Sequence, residues 1–303
     1  MDASRADGTL VMLKAIHPVR SPDEIPVGKL LSSERFASPR NYCIPYLEVI
    51  DPPEDSEKAF VVLPLLVGIE RAPFETIGEV VEFFRQIFEV GLVSQIFLRT
   101  HELSFAVGDC KYNNIMADSQ HLFDSPPHPF RTFTKRDFTG RPSIVASRTI
   151  KPVKYYIIDF DLSKEYPPGA SRLEEPPWGR DKIVPEHLLP DAPPCDPFPV
   201  DVYCLGNCIR QHFLDGCKYA KAKKGFDFMR ELIDDMTNSD PKKRPQMSEA
   251  NSRLKIIIEG LSDWKLRSPI IEVDQRTKVT KFIGHWATQL IRKARRIPAI
   301  PKS

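Results

Sequence analysis

Strand-type apolar runs come early in this chain and helix-type spacing comes late. That segregation restricts the fold more than any other feature of the sequence. TLVMLKAI (9–16), NYCIPYLEVI (41–50) and AFVVLPLLV (59–67) read as strands, the last two flanking the turn-rich DPPEDSE. DEIPVGKLLSSE (23–34) fits a short helix with Pro26 in its first turn. From Thr76 to about Leu98, the residues Val80, Phe83, Phe84, Ile87, Phe88 and Leu92 recur at helical spacing. VKYYIIDFDL (153–162) predicts one more strand, after which 200–214, 226–237 and 248–264 all carry helical patterns. No repeat unites these segments. Strands first and helices later imply an α+β fold with a small strand-containing lobe and a larger helical one.

Composition narrows the class. The chain has 303 residues, 41% hydrophobic and 28% charged, which is enough for one large domain or two lobes around a sizeable core. Lys and Arg number 43 against 41 Asp and Glu, a net charge of +2, so the chain as a whole has no strong pull toward nucleic acid or a membrane. Its 29 prolines, about twice the usual share, predict long, stiff connections. Cys43, Cys110, Cys195, Cys204, Cys208 and Cys217 form no CxxC pair or Cys/His cluster, which argues against zinc and for a reducing compartment. MDASRADGTL lacks the basic-then-apolar pattern of a signal peptide, and FVVLPLLVGI (60–69) is too short to span a bilayer. The expected location is cytoplasm or nucleus.

The residues with chemical potential occur in a fixed order. Lys14 lies in VMLKAI and Glu24 in EIPVGKLL. Asp109, Lys111 and Asn114 follow in VGDCKYNNIM, and Asp159 opens DFD at a strand end. Val184-Pro185-Glu186, Asp201 in DVYCLGN and Arg244 in DPKKRP complete the series. This ordered set, over residues 9 to 260, resembles the eukaryotic protein kinase family, in its Ser/Thr form because of Lys111. The phrases PRNYCIP, FFRQIF and DPFPVDVYCLG are similar to fungal protein kinase-like proteins.

The resemblance implies a bilobal kinase-like fold that uses ATP and Mg²⁺ for phosphoryl transfer to protein Ser or Thr. Such chemistry depends on positioning and charge neutralisation more than on covalent help. By resemblance, Asp109 would orient the substrate hydroxyl, Lys111 would neutralise the γ-phosphate, and Asn114 and Asp159 would hold Mg²⁺ through hard oxygen ligands. Lys14, fixed by Glu24, would grip the α- and β-phosphates, with Glu34 as the competing partner. The backbone near Leu66 would meet adenine. Glu186 and Arg244 would pair structurally, and Asp201 would brace the catalytic loop.

Four departures qualify the match. The thirteen residues before Lys14 contain a single glycine, Gly8, and no glycine-rich loop. Two strands and their turn do not fit there, so the small lobe reads as truncated or nucleotide binding as weakened. Val107-Gly108 replace the His-Arg pair of the family, and Asp161 replaces the glycine that follows Asp-Phe. Asn114 and Asp159 are 45 residues apart, which marks 118–152 as an insertion of unusual length. Its Pro-, Ser- and Arg-rich sequence reads as a disordered excursion. These departures keep a second hypothesis open, a pseudokinase scaffold with little or no turnover. A small-molecule kinase of related fold fits VPE and DPKKRP less well.

The expected organisation is a truncated small lobe over 1–66, a helical lobe over 67–264 and a basic extension over 265–303. In the extension, HWATQLIRKARRIPAIP (285–301) has Trp286, Leu290 and Ile291 beside Arg292, Lys293, Arg295 and Arg296. Such a helix can meet an acidic partner or a membrane surface. Docking on the helical lobe with a solvated basic face is the plainer expectation.

Overall fold

The computed structural model describes residues 1–302 except 52–56, 97–103, 107–109, 132, 167–168, 177–182, 190 and 277, and leaves out the side chains of 91–96, 104–105 and 165. The fold is α+β.

Four strands, β1 (Asp2–Ser4), β2 (Leu10–Ile16), β3 (Glu48–Ile50) and β4 (Ala59–Pro64), form an antiparallel sheet in the order β1-β2-β4-β3. One strand, not two, thus fits ahead of β2, and Gly8 at φ +84° makes the turn between them. Val61 in β4 is opposite Lys14 and fully buried, so the sheet presents Lys14 from its centre rather than from a frayed end. Helix α1 (Glu24–Leu31) lies between β2 and β3, with Pro26 in its first turn as expected.

The chain then passes through β5 (Val67–Gly68) into α2 (Ile77–Ile96), the axis of the molecule. Val80, Phe83, Phe84, Ile87 and Phe88 are all 1% exposed or less. Each contributes about 1.5–3 kcal/mol by leaving water. The polar side of α2 is buried as well, and that side organises the next strands. After β6 (Ser104–Ala106), β7 (Ile115–Asp118) and β8 (Lys154–Ile157) join β5 in a second antiparallel sheet, and β9 (Lys164–Tyr166) pairs with β6. Gln86 of α2 accepts from the Tyr155 amide at 2.9 Å and donates to the Val153 carbonyl at 3.1 Å. A side chain therefore serves β8 as a substitute strand partner and fixes its register against the helix.

The insertion is packed, contrary to its reading as a disordered excursion. Val145 donates to Leu122 at 2.8 Å and Asp124 to Ser143 at 2.9 Å, closing residues 124–143 at their base. Leu122 is fully buried, and the Thr149 amide and hydroxyl both donate to Glu79 of α2, at 2.8 and 2.7 Å. Arg148 is 2% exposed. It donates to the Tyr155 hydroxyl and the Ile69 carbonyl, each at 2.7 Å, and to the Ala72 carbonyl, with its guanidinium 4.3 Å from the Phe74 ring centre. Low hydrophobicity misled the sequence reading because polar residues here satisfy buried polar groups instead of facing water.

The rest is helical, with α3 (Pro197–Ile209), α4 (Arg230–Met236), α5 (Met247–Glu259), α6 (Asp263–Arg267) and α7 (Val279–Ala294). The pattern over 248–264 divides into α5 and α6, because the chain leaves the helix at Gly260 and Ser262 caps a new one through Lys265. Cys204 and Cys208 share the buried interior of α3, and none of the six cysteines forms a disulfide. The tail after α7 returns to α2. The Ala299 carbonyl packs so closely on Gly78 that a Cβ there would stand 2.1 Å from its oxygen. Among the described residues, no helix is long and apolar enough to cross a membrane.

Candidate active site

Three elements bring Lys14, Glu24 and Asp159 together. Lys14 reaches across from the middle of β2. Glu24, in the first turn of α1 and 2% exposed, accepts its ammonium, and Asp159 accepts it at 2.6 Å. Asp159 is held from behind: the Ile157 amide donates to Tyr42 at 2.9 Å, its carbonyl accepts from Ile44 at 2.9 Å, and the Ile158 amide donates to the Asn114 carbonyl at 2.8 Å. The last of these bonds also sets Asn114 next to the DFD segment. Glu34, the competing partner for Lys14, lies exposed in the turn after α1, so the ten-residue spacing to Glu24 is the one used.

One ammonium faces two carboxylates, and burial and pairing compete in setting their protonation. Burial disfavours the charged Lys14, but the hydrogen bonds it donates to Asp159 and Glu24 outweigh that and hold the lysine above its ordinary pKa. Glu24 is also raised, first by burial and then by the charges of Asp159 and Asp161, against the pull of Lys14. Lys14 thus holds its proton more tightly because of its two carboxylate partners, and Glu24 does so mainly because it is buried.

Two residues outside the sequence-based set shape this corner. Tyr46 lies 6.2 Å from Phe160, ring to ring, and fills the space that Gly28 leaves on α1, where a Cβ would come within 2.1 Å of the tyrosine ring. The wedge supports α1 and with it Glu24. A glycine inside a short helix was the only sequence sign of it.

The backbone at 159 is informative. Asp159 adopts φ +79°, in the left-handed region, whereas Asp161 does not have a positive φ. An aspartate at 161 thus costs no left-handed strain, and the unfavourable conformation falls on Asp159 itself. Asp161 is exposed.

The loop residues are placed less completely. Asp109, with Val107 and Gly108, lies outside the described residues. Lys111 precedes a single 3-10 turn (Tyr112–Asn114), its carbonyl accepting from the Asn114 amide at 3.0 Å. Tyr112 stacks flat on His212, with centroids 3.7 Å apart and planes within 9°. Burial, aided by the positive charge of Lys223, lowers the His212 pKa to about 4. An unfolded histidine titrates near 6.5. Between these values the unfolded chain binds the extra proton, so stability is full above about 6.5 and declines as pH falls toward about 4. The denaturant midpoint should fall between pH 7 and pH 5 by more in the wild type than in His212→Phe, which keeps the stack without titrating.

Leu66 is buried in the link between β4 and β5. Next to it, both backbone groups of Leu65 are engaged. Its amide donates to Leu10 at 3.4 Å, and its carbonyl accepts from the Gln120 side chain at 2.5 Å.

Away from this site, Arg244 and Glu186 pair as expected, through two bonds of 2.7 Å. Arg244 also donates to the Asn238 and Pro199 carbonyls, at 2.8 and 3.0 Å, and its side chain is fully buried. That arrangement ties the segment before α3 to the turn before α5 and leaves no charge unpaired. Asp201 is buried in α3. Of the three hydroxyls on 161–184, Ser163 and Tyr166 are buried and only Ser171 is exposed.

Asn114 and Asp159 offer an amide and a carboxylate oxygen, the donor types that suit Mg²⁺. Among the described residues, no group of three or more His, Cys, Asp or Glu side chains is arranged to hold a metal. No family model matches this chain, and no curated protein is significantly similar to it.

Proposed function

We propose that this chain is a protein kinase-like phosphotransferase with a small strand-containing lobe over 1–66 and a helical lobe over 67–264, transferring phosphoryl from ATP to protein Ser or Thr. The observation that carries the reading is the Lys14–Glu24–Asp159 cluster, assembled from residues as far as 145 positions apart. Lys14 binds the α- and β-phosphates and is oriented by Glu24. Lys111 meets the γ-phosphate, and Asp109 orients the acceptor hydroxyl. The Mg²⁺ that Asn114 and Asp159 would hold supplies charge neutralisation at the phosphate oxygens.

A specific observation favours a second reading, a scaffold that binds nucleotide weakly and turns it over little or not at all. The Gln120 amide occupies the Leu65 carbonyl, in the link where adenine is expected to bind. The two readings separate in one assay. Purified chain with radiolabelled ATP, Mg²⁺ and a generic basic protein is expected to transfer label, and an Asp109→Asn variant to transfer essentially none. Equal label from both would discard the enzyme. A Tm that rises with Mg-ATP in the absence of transfer would support the scaffold.

A further inference from the structure

Helix α7 is built inside out. A surface helix ordinarily buries its apolar stripe and turns charge to solvent. Here the docked side is polar: His285, Gln289 and Arg292, spaced as i, i+4 and i+7, face the body of the protein. His285 bonds the Arg267 carbonyl at 2.8 Å, and Arg292 donates to Glu75 at 3.0 Å and to Ser147 at 2.9 Å. Gln289 is 1% exposed. Of the apolar residues expected to dock, Leu290 and Ile291 face outward and Trp286 is half-buried at the rim. Val279, Ile283, Leu290 and Ile291 are 71, 61, 56 and 55% exposed, and Phe282 is 45% exposed. Between them on the outward side lie small or uncharged residues, Thr280, Gly284, Ala287 and Ala294.

This apolar face is framed by positive charge. The last 29 residues contain eight Lys and Arg and no Asp or Glu, so the remaining chain, with 35 basic against 41 acidic residues, is net −6. Lys278 and Lys281 mark one end of the helix, and Arg295 and Arg296 the other. Trp264, 46% exposed, lies 5.8 Å from Trp286 at the rim, with Lys293 4.3 Å from its ring centre. Self-association through this face would set each basic rim against its own copy, which disfavours a two-fold dimer. A flat, apolar, uncharged strip with cations at both ends and tryptophan at its border matches the interface of an anionic bilayer, where the strip enters the acyl boundary and the cations meet phosphate headgroups.

We propose that α7 is a membrane-surface anchor that holds this chain on anionic lipid. The reading is independent of the proposed phosphoryl transfer and involves none of its residues. It is tested with the full chain and two kinds of vesicle, phosphatidylcholine alone and phosphatidylcholine with phosphatidylserine, by co-sedimentation and tryptophan fluorescence. The chain is expected to pellet with the serine-containing vesicles, to lose that binding as salt is raised, and to show a blue shift from Trp264 and Trp286. Changing Arg295 or Arg296 to Gln should weaken binding about fivefold each. Ile283→Asn with Leu290→Asn should abolish the blue shift, and both positions are exposed enough for the fold to persist, as the thermal melt of the variant would show. The idea is overturned by equal partition to both vesicles, by binding indifferent to the 283/290 variant, by capture on polyglutamate without vesicle binding, which would indicate an acidic protein partner, or by elution as a dimer that the same variant dissolves. Should the variant melt early, the blue shift of the unaltered chain decides.

Discussion

Replacing Lys14 with Met is expected to abolish the rise in Tm on adding Mg-ATP and to lower phosphoryl transfer by on the order of 10²- to 10³-fold, the usual effect of losing one preorganised charge-stabilising donor. The argument starts from burial. Glu24 is 2% exposed and its cation is Lys14, so the single change also strands a carboxylate inside the protein. Glu24 would then take up a proton at still higher pH than it does now, since burial already raises it. A loss of activity alone would therefore confuse folding with function. The double variant Lys14→Met/Glu24→Gln removes the stranded charge and should regain much of the Tm, yet remain indifferent to Mg-ATP. If instead the double variant responds to Mg-ATP like the wild type, Lys14 does not grip phosphate and the proposed chemistry fails.

Arg148→Met should destabilise the fold by about 3 kcal/mol or more, since each buried acceptor deprived of its donor costs about 1–3 kcal/mol. The Tyr155 hydroxyl and the Ile69 and Ala72 carbonyls all depend on this one guanidinium, and methionine fills the volume without donating. Arg148→Lys should recover only part of the loss, because one ammonium cannot reproduce a planar fork that serves three acceptors while stacked on Phe74. Urea unfolding at fixed pH measures both, with an unchanged m-value expected if the native state stays compact. A variant within about 0.5 kcal/mol of wild type would mean the insertion is only loosely attached, since that is the range of ordinary surface substitutions.

The insertion also shows where local reading of a sequence fails. Residues 118–152 have no steady period and many prolines, and composition alone placed them outside the core. They instead cover part of the polar side of α2, through Thr149 on Glu79, and brace the segment before α2, through Arg148 against Phe74. Such a partnership leaves no periodic trace, because a single side chain in contact with three separate backbone or hydroxyl groups, two of them more than seventy residues away, has no spacing to detect. The same limit applies to α7. Its amphipathic pattern was legible, but which side faces the protein was not. That choice depended on Glu75 and Ser147, residues on other segments that offer Arg292 acceptors and so draw the polar stripe inward.

By itself the sequence determined the elements with strong local periods: β2 and β4, the long run of α2, and the helical character of α3, α4 and α5. The resemblance carried by its ordered motifs also singled out Lys14, Glu24, Asn114 and Asp159. Spacing and residue type are local properties, and they survive in the linear chain. The tertiary structure alone decided that Glu24 rather than Glu34 meets Lys14, because the path from β2 into α1 sets which carboxylate turns inward. It decided that the left-handed backbone falls on Asp159, where β8 ends against Asn114 and residues 42–44. It also decided that α7 docks by its polar stripe. Each of these outcomes depends on groups far apart in sequence that meet only when the sheets and α2 have packed.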